Sequence, residues 1–210
     1  MKNKIDKIAI ITTVVCLMPM ILAALLYDKI PEQMPIHFDI NGVANGYAPK
    51  FFGAFGIPIL MAAVNLFLHY ITNNDPKTAK MSSKLLAITK WTIAVLSIVC
   101  STITIFMAIG IDMKIEIFVP SLVGLLMVII GNYLPKTSQN NIIGIKLPWT
   151  LKSEENWNKT HHFAGFVWVV LGLIMILCGF LKLEIIFMLS LFAMIIIPCV
   201  YSYYLYKKGI

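Results

Sequence analysis

The side chains with the widest chemical repertoire lie in one polar segment, residues 142–165, with the sequence IIGIKLPWTLKSEENWNKTHHFAG. Glu155, His161 and His162 carry carboxylate and imidazole groups, which can bind metal ions or transfer protons. Adjacent histidines point about 100° apart on a helix, however, and the H-E-x-x-H arrangement of zinc proteases is absent. We therefore predict no catalytic, metal or cofactor site. A metal-dependent membrane enzyme remains an alternative, beside a docking or ligand-gating surface and a plain interfacial helix.

A second polar stretch spans residues 28–50. Ile36 and Phe38 alternate with His37 and Asp39, and this period of two predicts a short strand. The Asn-Gly pair that follows is the dipeptide best suited to a tight hairpin turn. His37 and Asp39 would share one side of the strand, so a metal or proton switch stands beside the simpler interpretation of a solvated strand face. The candidate residues of this loop are Pro35, His37, Asn41, Gly42, Asn45 and Gly46.

The elements that must position both segments are membrane helices. Hydrophobic residues make up 59% of the 210 residues and charged residues only 13%, against about 25% charged in soluble domains. Several apolar runs approach twenty residues, the length that crosses a hydrocarbon core. In lipid such runs must be helical, because a helix satisfies its own backbone hydrogen bonds. We predict an all-α polytopic membrane protein with spans near residues 8–27, 52–72, 86–110, 117–134, 163–181 and 185–205.

Lysine placement predicts the orientation. All 17 basic residues are lysines, and with the N-terminus inside, thirteen of them fall in inner segments and four in outer segments. This bias follows the positive-inside rule and predicts that both termini are cytoplasmic. The net charge of +7 is then mostly a topology signal, and we expect no direct binding of nucleic acid.

Polar groups inside the predicted spans are the next candidates, because they are costly in hydrocarbon. Asn65 and His69 are four residues apart and share one helical face. For Asn65 we predict a hydrogen bond to a neighbouring helix, with a functional cavity as the alternative. His69 lies near the inner end and is expected to reach headgroup water. A small transporter or channel-like protein that uses Asn65 is the alternative function. Gly124 and Gly131 are expected to permit close helix approach.

The inner loop is predicted to contain an amphipathic helix that runs into the fifth span. Pro135 stops the fourth span, and the Pro148-Trp149 pair marks a turn at the membrane interface. Thr150 or Ser153 caps the following helix, whose first turn holds two glutamates that suit the positive end of its dipole. Four residues then fall on one face of this helix: Trp157, His161, Ala164 and Trp168.

A longer ordered pattern connects these residues. The runs GNYLPK, GIKLPWTL and EENWNKTHHFAG resemble the signature of the SdpI family of bacterial membrane proteins. The outer loop, IPEQMPIHFDINGVANGYAPK, is similar to a short domain of unknown function often found upstream in the same proteins. Together the two resemblances cover roughly residues 14–60 and 120–195. Lys146 lies where the family often has arginine, and this exchange loses a fork-shaped donor.

The resemblance implies a non-enzymatic, multi-pass protein of the bacterial plasma membrane that confers immunity to a secreted antimicrobial peptide toxin. Its partners would be the lipid bilayer and, on the outer face, the toxin. Some family members also act as receptors that hold a soluble transcriptional repressor at the membrane, which would be a partner on the inner face.

The predicted domains are a first helical hairpin, 1–72, with the structured outer loop, and a four-helix membrane domain, 86–205, with an inner signature loop at 131–165. The candidate functional residues of that loop are Asn132, Pro135, Gly144, Lys146, Pro148, Trp149, Thr150, Glu155, Trp157 and His161.

Overall fold

The computed structural model describes residues 6–39, 42–76, 78 and 83–210. The α-helices in this part of the chain are α1 (Lys7–Leu17), α2 (Pro19–Leu25), α3 (Ile57–Asn74), α4 (Ser83–Ala108), α5 (Ile115–Tyr133), α6 (Pro148–Lys152), α7 (Glu154–Leu181) and α8 (Glu184–Lys207). The strands are β1 (Gln33–Phe38) and β2 (Ala44–Pro49).

The predicted polytopic helical architecture is confirmed. Across the described residues, six helical stretches are long and apolar enough to cross a membrane: Lys7–Leu25, Phe52–Asn74, Ser83–Ala108, Ile115–Lys136, Glu154–Leu181 and Glu184–Lys207. The first stretch is interrupted at Met18, and α2 restarts with Pro19 at its first position, where a missing backbone N–H costs nothing. The second opens with a π-helical turn, Phe52–Gly56. The fifth begins at Glu154 rather than 163, because the amphipathic helix and the span are one continuous helix.

The chain divides into two compact units. Unit 1 comprises Met1–Asn74 and Leu86–Lys114, and unit 2 comprises Asp75–Leu85 and Ile115–Ile210. This division differs from the predicted domains, which grouped the third span with the later three. The reason is that α4 packs on the first span. Ser97 Oγ donates a hydrogen bond to the Cys16 carbonyl (2.8 Å), and Ala94 is buried in a cluster with Cys16 and Ala62.

In unit 1, β1 and β2 form the antiparallel hairpin that was predicted for the outer loop. Its anchor is Met34, which is fully buried in an apolar cluster with Ala23, Ile30, Ala54 and Ile105. The connection spans residues 39–43 rather than a two-residue turn, and Gly42 has a φ of +80°. Asn41, the other predicted turn residue, lies outside the described residues. The hairpin is therefore a structured element fastened to the core of unit 1.

In unit 2, α5 and α7 approach closely through paired glycines, as predicted for Gly124 and Gly131. A Cβ on Gly124 would lie 2.5 Å from the Gly172 carbonyl oxygen, and one on Gly131 would lie 2.9 Å from the Gly165 carbonyl oxygen. Neither distance leaves room for a side chain, so the two backbones touch at both levels. This packing fixes the end of α5 against the start of α7, and the signature loop connects these two points.

Candidate functional site

The signature loop, residues 131–165, is a sequence of short elements. After α5 come a 3₁₀ turn (Leu134–Lys136), an irregular stretch, α6 and the first turns of α7. The predicted turn at Pro148-Trp149 is instead the start of α6, with proline in its first turn. Ser153 caps α7, because its hydroxyl accepts a hydrogen bond from the Asn156 amide (3.1 Å), as predicted.

The centre of the loop is a stacked pair of buried side chains, Trp157 and His161. Their ring centroids are 3.9 Å apart and their planes differ by 21°. Trp157 Nε1 donates to the Thr137 carbonyl (2.7 Å), and the Ile145 amide donates to His161 Nε2 (2.9 Å). Because Nε2 accepts this hydrogen bond, the ring proton lies on Nδ1, which donates it to the Trp157 carbonyl (2.7 Å). Both nitrogens of His161 are therefore engaged in the neutral ring.

Gly144 lies directly over this pair. Its φ is +128°, a conformation that residues with a side chain rarely adopt. A Cβ there would overlap His161 Nε2 and would lie 2.8 Å from Trp157 Cη2. The position therefore requires glycine for two independent reasons, backbone conformation and space.

Asn140 and Thr150 hold the irregular stretch in place. Asn140 Oδ1 accepts from the amides of Ile142 (2.8 Å) and Ile143 (2.7 Å), and its Nδ2 donates to two backbone carbonyls. Thr150 was predicted as an alternative cap for α7. Its hydroxyl instead accepts from the Leu147 amide (2.8 Å) and donates to the Ile145 carbonyl (2.8 Å). Both side chains are fully buried.

We name Asn140, Gly144, Thr150, Trp157 and His161 the clasp. Sequence reasoning missed only Asn140 among them. The signal for it was its residue type: asparagine in a polar loop often bonds backbone groups a few residues further along.

A second set of contacts fastens the loop to α8. Trp149 Nε1 donates to Ser202 Oγ (2.7 Å), and its ring stacks on Tyr206 at 5.6 Å. Buried Asn156 donates to the carbonyls of Ser202 and Ile210 (both 3.1 Å) and accepts from Ser202 Oγ (2.8 Å). Asn156 and Ser202 were not predicted, because their partners lie 46 or more residues away in the sequence.

The remaining predicted residues of the loop lie on its exterior. They are Asn132, Pro135, Lys146, Pro148 and Glu155, all exposed. Lys146 Nζ donates to the Asn141 carbonyl (3.2 Å), and Glu155 forms an ion pair with Lys159 at 2.7 Å. Beside the loop is a groove of about 650 Å³, lined by Pro135, Asn158, Lys159, His162, Phe163, Phe166 and Tyr201. Of the predicted loop residues, only Pro135 lines this groove.

In the outer hairpin, the predicted residues are arranged around His37. Its Nδ1 hydrogen-bonds Asn45 Oδ1 across the strands, and a Cβ on Gly46 would lie 2.8 Å from the His37 Cβ. Asn45 and Gly46 thus belong to β2, and Pro35 to β1. Asp39 Oδ1 accepts from the Val43 amide (2.8 Å), so this carboxylate stabilises the connection. Over the described ranges, no group of three or more His, Cys, Asp and Glu side chains is placed to hold a metal ion.

Unit 1 contains a further group of polar side chains, named here the polar cluster: Asp6, Thr12, Asn65, His69 and Lys90. Asn65 Nδ2 donates to Thr12 Oγ1 (2.9 Å) on the neighbouring helix, as predicted. The expectation for His69 was wrong, since it is 2% exposed and hydrogen-bonded to Thr12 (3.0 Å), because α1 covers it. Burial raises the pKa of Asp6, but hydrogen bonds from Lys90 and the Ala9 amide outweigh it and lower that pKa below its usual value.

Comparisons with known proteins bear on both units. The model of the SdpI/YfhL protein family matches residues 136–202, which include the whole clasp. The model of a domain of unknown function, DUF1648, matches residues 14–62, which include the outer hairpin. The Immunity protein SdpI of Bacillus subtilis (strain 168) is 28% identical over 202 residues, which cover 95% of this chain and 96% of that protein. No solved structure matches the chain.

The resemblance that the signature runs predicted is therefore confirmed, and the upstream module is the one expected. With its six apolar helices, the chain is a multi-pass cell membrane protein, and its residues 136–202 are similar to the SdpI/YfhL protein family.

Proposed function

We propose that this chain is a membrane immunity protein that protects the cell carrying it against a secreted antimicrobial peptide toxin. The observation that carries the proposal is the similarity to the Immunity protein SdpI, which extends over 95% of this chain and 96% of that protein. The similarity spans the outer hairpin, all six apolar helices and the signature loop. It therefore favours a shared activity of the whole molecule over the borrowing of a single module.

The signature loop supports a division between residues that hold its shape and residues that meet a partner. The polar atoms of the clasp are used in hydrogen bonds within unit 2, which fixes the backbone of residues 140–150. Lys146 and Pro148 project from this fixed backbone and are exposed. A rigid scaffold that presents exposed side chains on a loop is the usual design of a recognition site. Lys146 is therefore the residue proposed to contact the partner.

The finer proposal concerns the partners. With both termini inside, the lysine-rich signature loop faces the cytoplasm, where an exposed lysine favours a partner with an acidic surface. Such a partner would be a soluble transcriptional repressor held at the membrane while toxin is present. The hairpin of β1 and β2 would then face outward, where a secreted toxin arrives.

Expression of the chain in toxin-sensitive bacteria tests the immunity proposal. We expect growth to be restored over a dilution series of the secreted peptide, compared with cells that carry an empty vector. Immunoblots of membrane fractions establish that the protein is present. Unchanged killing by every peptide of the class tested, in cells with normal membrane levels of the protein, would contradict the proposal.

Alanine replacement of Lys146, Trp149, Glu155 and His161, one at a time, tests the division within the loop. Lys146→Ala is expected to lose protection or repressor recruitment while its membrane level stays normal. Lys182→Ala is the matched control, because this lysine is exposed near the end of α7 and forms a loose contact with Glu116 (3.8 Å). If all four variants keep protection and recruitment, the loop is only architecture.

A further inference from the structure

The polar cluster of unit 1 gathers ionisable groups from three segments of the chain. Asp6 immediately precedes α1 and caps it by accepting a hydrogen bond from the Ala9 amide (2.7 Å). His69 lies near the end of α3, and Lys90 lies in the first third of α4. Lys90 Nζ binds Asp6 Oδ2 and also donates to Asn73 Oδ1 (2.9 Å). Ionisable side chains in membrane helices are rare and usually functional, because hydrocarbon penalises them.

The hydrogen bonds around Thr12 define where the proton of His69 lies. Thr12 Oγ1 is 2.9 Å from the Ile8 carbonyl, four residues earlier on α1, and donates its proton there. It therefore acts as an acceptor toward Asn65 Nδ2 (2.9 Å) and toward His69 Nε2 (3.0 Å). With the Thr12 proton assigned to Ile8, we place the proton of His69 on Nε2. The other ring nitrogen, Nδ1, is left as an unprotonated acceptor.

This Nδ1 atom faces a carboxylate oxygen. It is buried without a hydrogen-bond partner among the described residues, and it lies 3.7 Å from Asp6 Oδ1. This separation exceeds the length of a hydrogen bond, which is about 2.9 Å. Two acceptors therefore face each other, and a single proton on Nδ1 would turn this opposition into a charge-assisted hydrogen bond.

We propose that the polar cluster is a proton-binding site, with His69 Nδ1 as the atom that binds the proton and Asp6 as its counter-ion. In the protonated state, the two ring N–H groups of His69 donate to Thr12 Oγ1 and Asp6 Oδ1. Asp6 then bridges His69 on α3 and Lys90 on α4 while it caps α1. Proton binding thus joins three helices of unit 1 through one carboxylate.

The charged groups that act on His69 can be named element by element. Among the described residues, they are Asp6, whose carboxylate lies 3.7 Å from Nδ1 and favours the imidazolium, and Lys90, whose like charge opposes it. The other polar side chains near His69 on its own helix, α3, are neutral: Asn65 and Asn73. Because Lys90 is already bonded to Asp6, the proton on His69 changes the charge of the cluster from zero to +1. The Asp6 carboxylate is therefore the group that favours proton binding by His69, and replacing Asp6 is the most direct test.

The experiment is a ¹⁵N NMR titration of the full-length protein labelled at histidine in phospholipid vesicles. The chain has only four histidines, so replacing His37, His69 and His162 by glutamine, one at a time, assigns the ring signals. Between about pH 8 and pH 5 we expect the His69 signals to change from a neutral Nε2–H ring to an imidazolium. Asp6→Asn should move the midpoint toward acid by about one pH unit or more, since the opposite charge is lost.

His162→Gln is the matched control, because His162 is exposed and lies in unit 2. It should leave the His69 titration unchanged. If His69→Gln does not fold, variants of His37, His161 and His162 assign the His69 signals by elimination instead. The proposal is overturned if the His69 ring stays neutral over the whole range in folded protein, or if Asp6→Asn leaves its midpoint in place. This outcome is independent of whether the chain protects against a toxin.

Discussion

Two histidines are buried in this protein, and their surroundings differ. In unit 2, His161 donates from Nδ1 to the Trp157 carbonyl and accepts at Nε2 from the Ile145 amide. In unit 1, His69 Nε2 is hydrogen-bonded to Thr12, and its Nδ1 faces Asp6 without a hydrogen bond. Both nitrogens of the first ring are hydrogen-bonded in its neutral form, whereas Nδ1 of the second ring has no hydrogen bond.

The difference separates structural from chemical roles. Buried polar groups in folded proteins nearly always have partners, so a satisfied histidine needs no function to explain it. An unsatisfied one, beside a carboxylate and a lysine, does need an explanation. The clasp is thus a device that holds backbone, and the polar cluster is a place where the charge of the protein changes.

The largest loss of stability is expected from Gly144→Ala, which places a methyl group where the clasp is most tightly packed. The new Cβ would overlap His161 Nε2 and force an unfavourable φ, so the free energy of unfolding should fall by roughly 3 kcal/mol. Chemical denaturation in detergent micelles measures it.

Gly110→Ala is the matched control. Gly110 also has a positive φ, +88°, but nothing lies within 4 Å of a Cβ there. We expect a loss of about 1 kcal/mol from backbone conformation alone. Equal losses in both variants would show that the clasp imposes no steric requirement.

The next effect compares two buried asparagines. Asn140→Ala removes a side chain with four backbone hydrogen bonds and should cost about 2 kcal/mol. Asn65→Ala removes two bonds to threonine hydroxyls and also an unpaired oxygen, so about 1 kcal/mol is expected. Unfolding of the two variants under identical conditions ranks them. A larger loss of unfolding free energy in Asn65→Ala than in Asn140→Ala would contradict the assignment of the clasp as the structural scaffold.

The pH dependence of stability sharpens the unit 1 side of the comparison. The pKa of Asp6 is lowered in the folded protein, so its contribution is complete above the usual aspartate pKa of about 4. This contribution is lost as the pH falls through the folded-state value. Asp6→Asn should therefore destabilise the protein near neutral pH and flatten the decline of stability at acidic pH. If the variant loses stability at acidic pH as steeply as the unmodified protein, Asp6 does not cause this decline.

The smallest effect is expected at the surface of the signature loop. Glu155 and Lys159 form an exposed ion pair one helical turn apart, and such pairs contribute about 0.3–0.5 kcal/mol. Glu155→Gln should change the unfolding free energy by no more than this amount, and less in high salt. A loss above 1 kcal/mol would mean that Glu155 belongs to the clasp.

Local patterns in the sequence predict local structure here, and they predict little beyond it. The spans, the Ser153 cap and the shared face of Trp157 and His161 all follow from composition and period, and the structure confirms them. The burial of His69 depends on α1, 57 residues away from it at Thr12. No periodicity within α3 reports on that contact.

Long-range pairing also explains the unpredicted contacts of unit 2. Asn156 is bonded to Ser202, 46 residues away, and nothing near either residue indicates the other. The packing of α4 on the first span was also not predicted. It depends on small residues such as Ala94, whose distant partners leave no local pattern. Asn140 is the exception, because its partners are local and its residue type was the available signal.

The contrast between the two buried histidines is tested most directly in one ¹⁵N-histidine spectrum recorded over a range of pH. We predict that the His161 signals remain those of a neutral Nδ1–H ring from about pH 8 to pH 5, because Ile145 occupies Nε2. In the same sample, the His69 signals should change to those of an imidazolium. A His161 ring that titrates while His69 stays neutral would contradict the assignment of the clasp as scaffold and the polar cluster as the proton site.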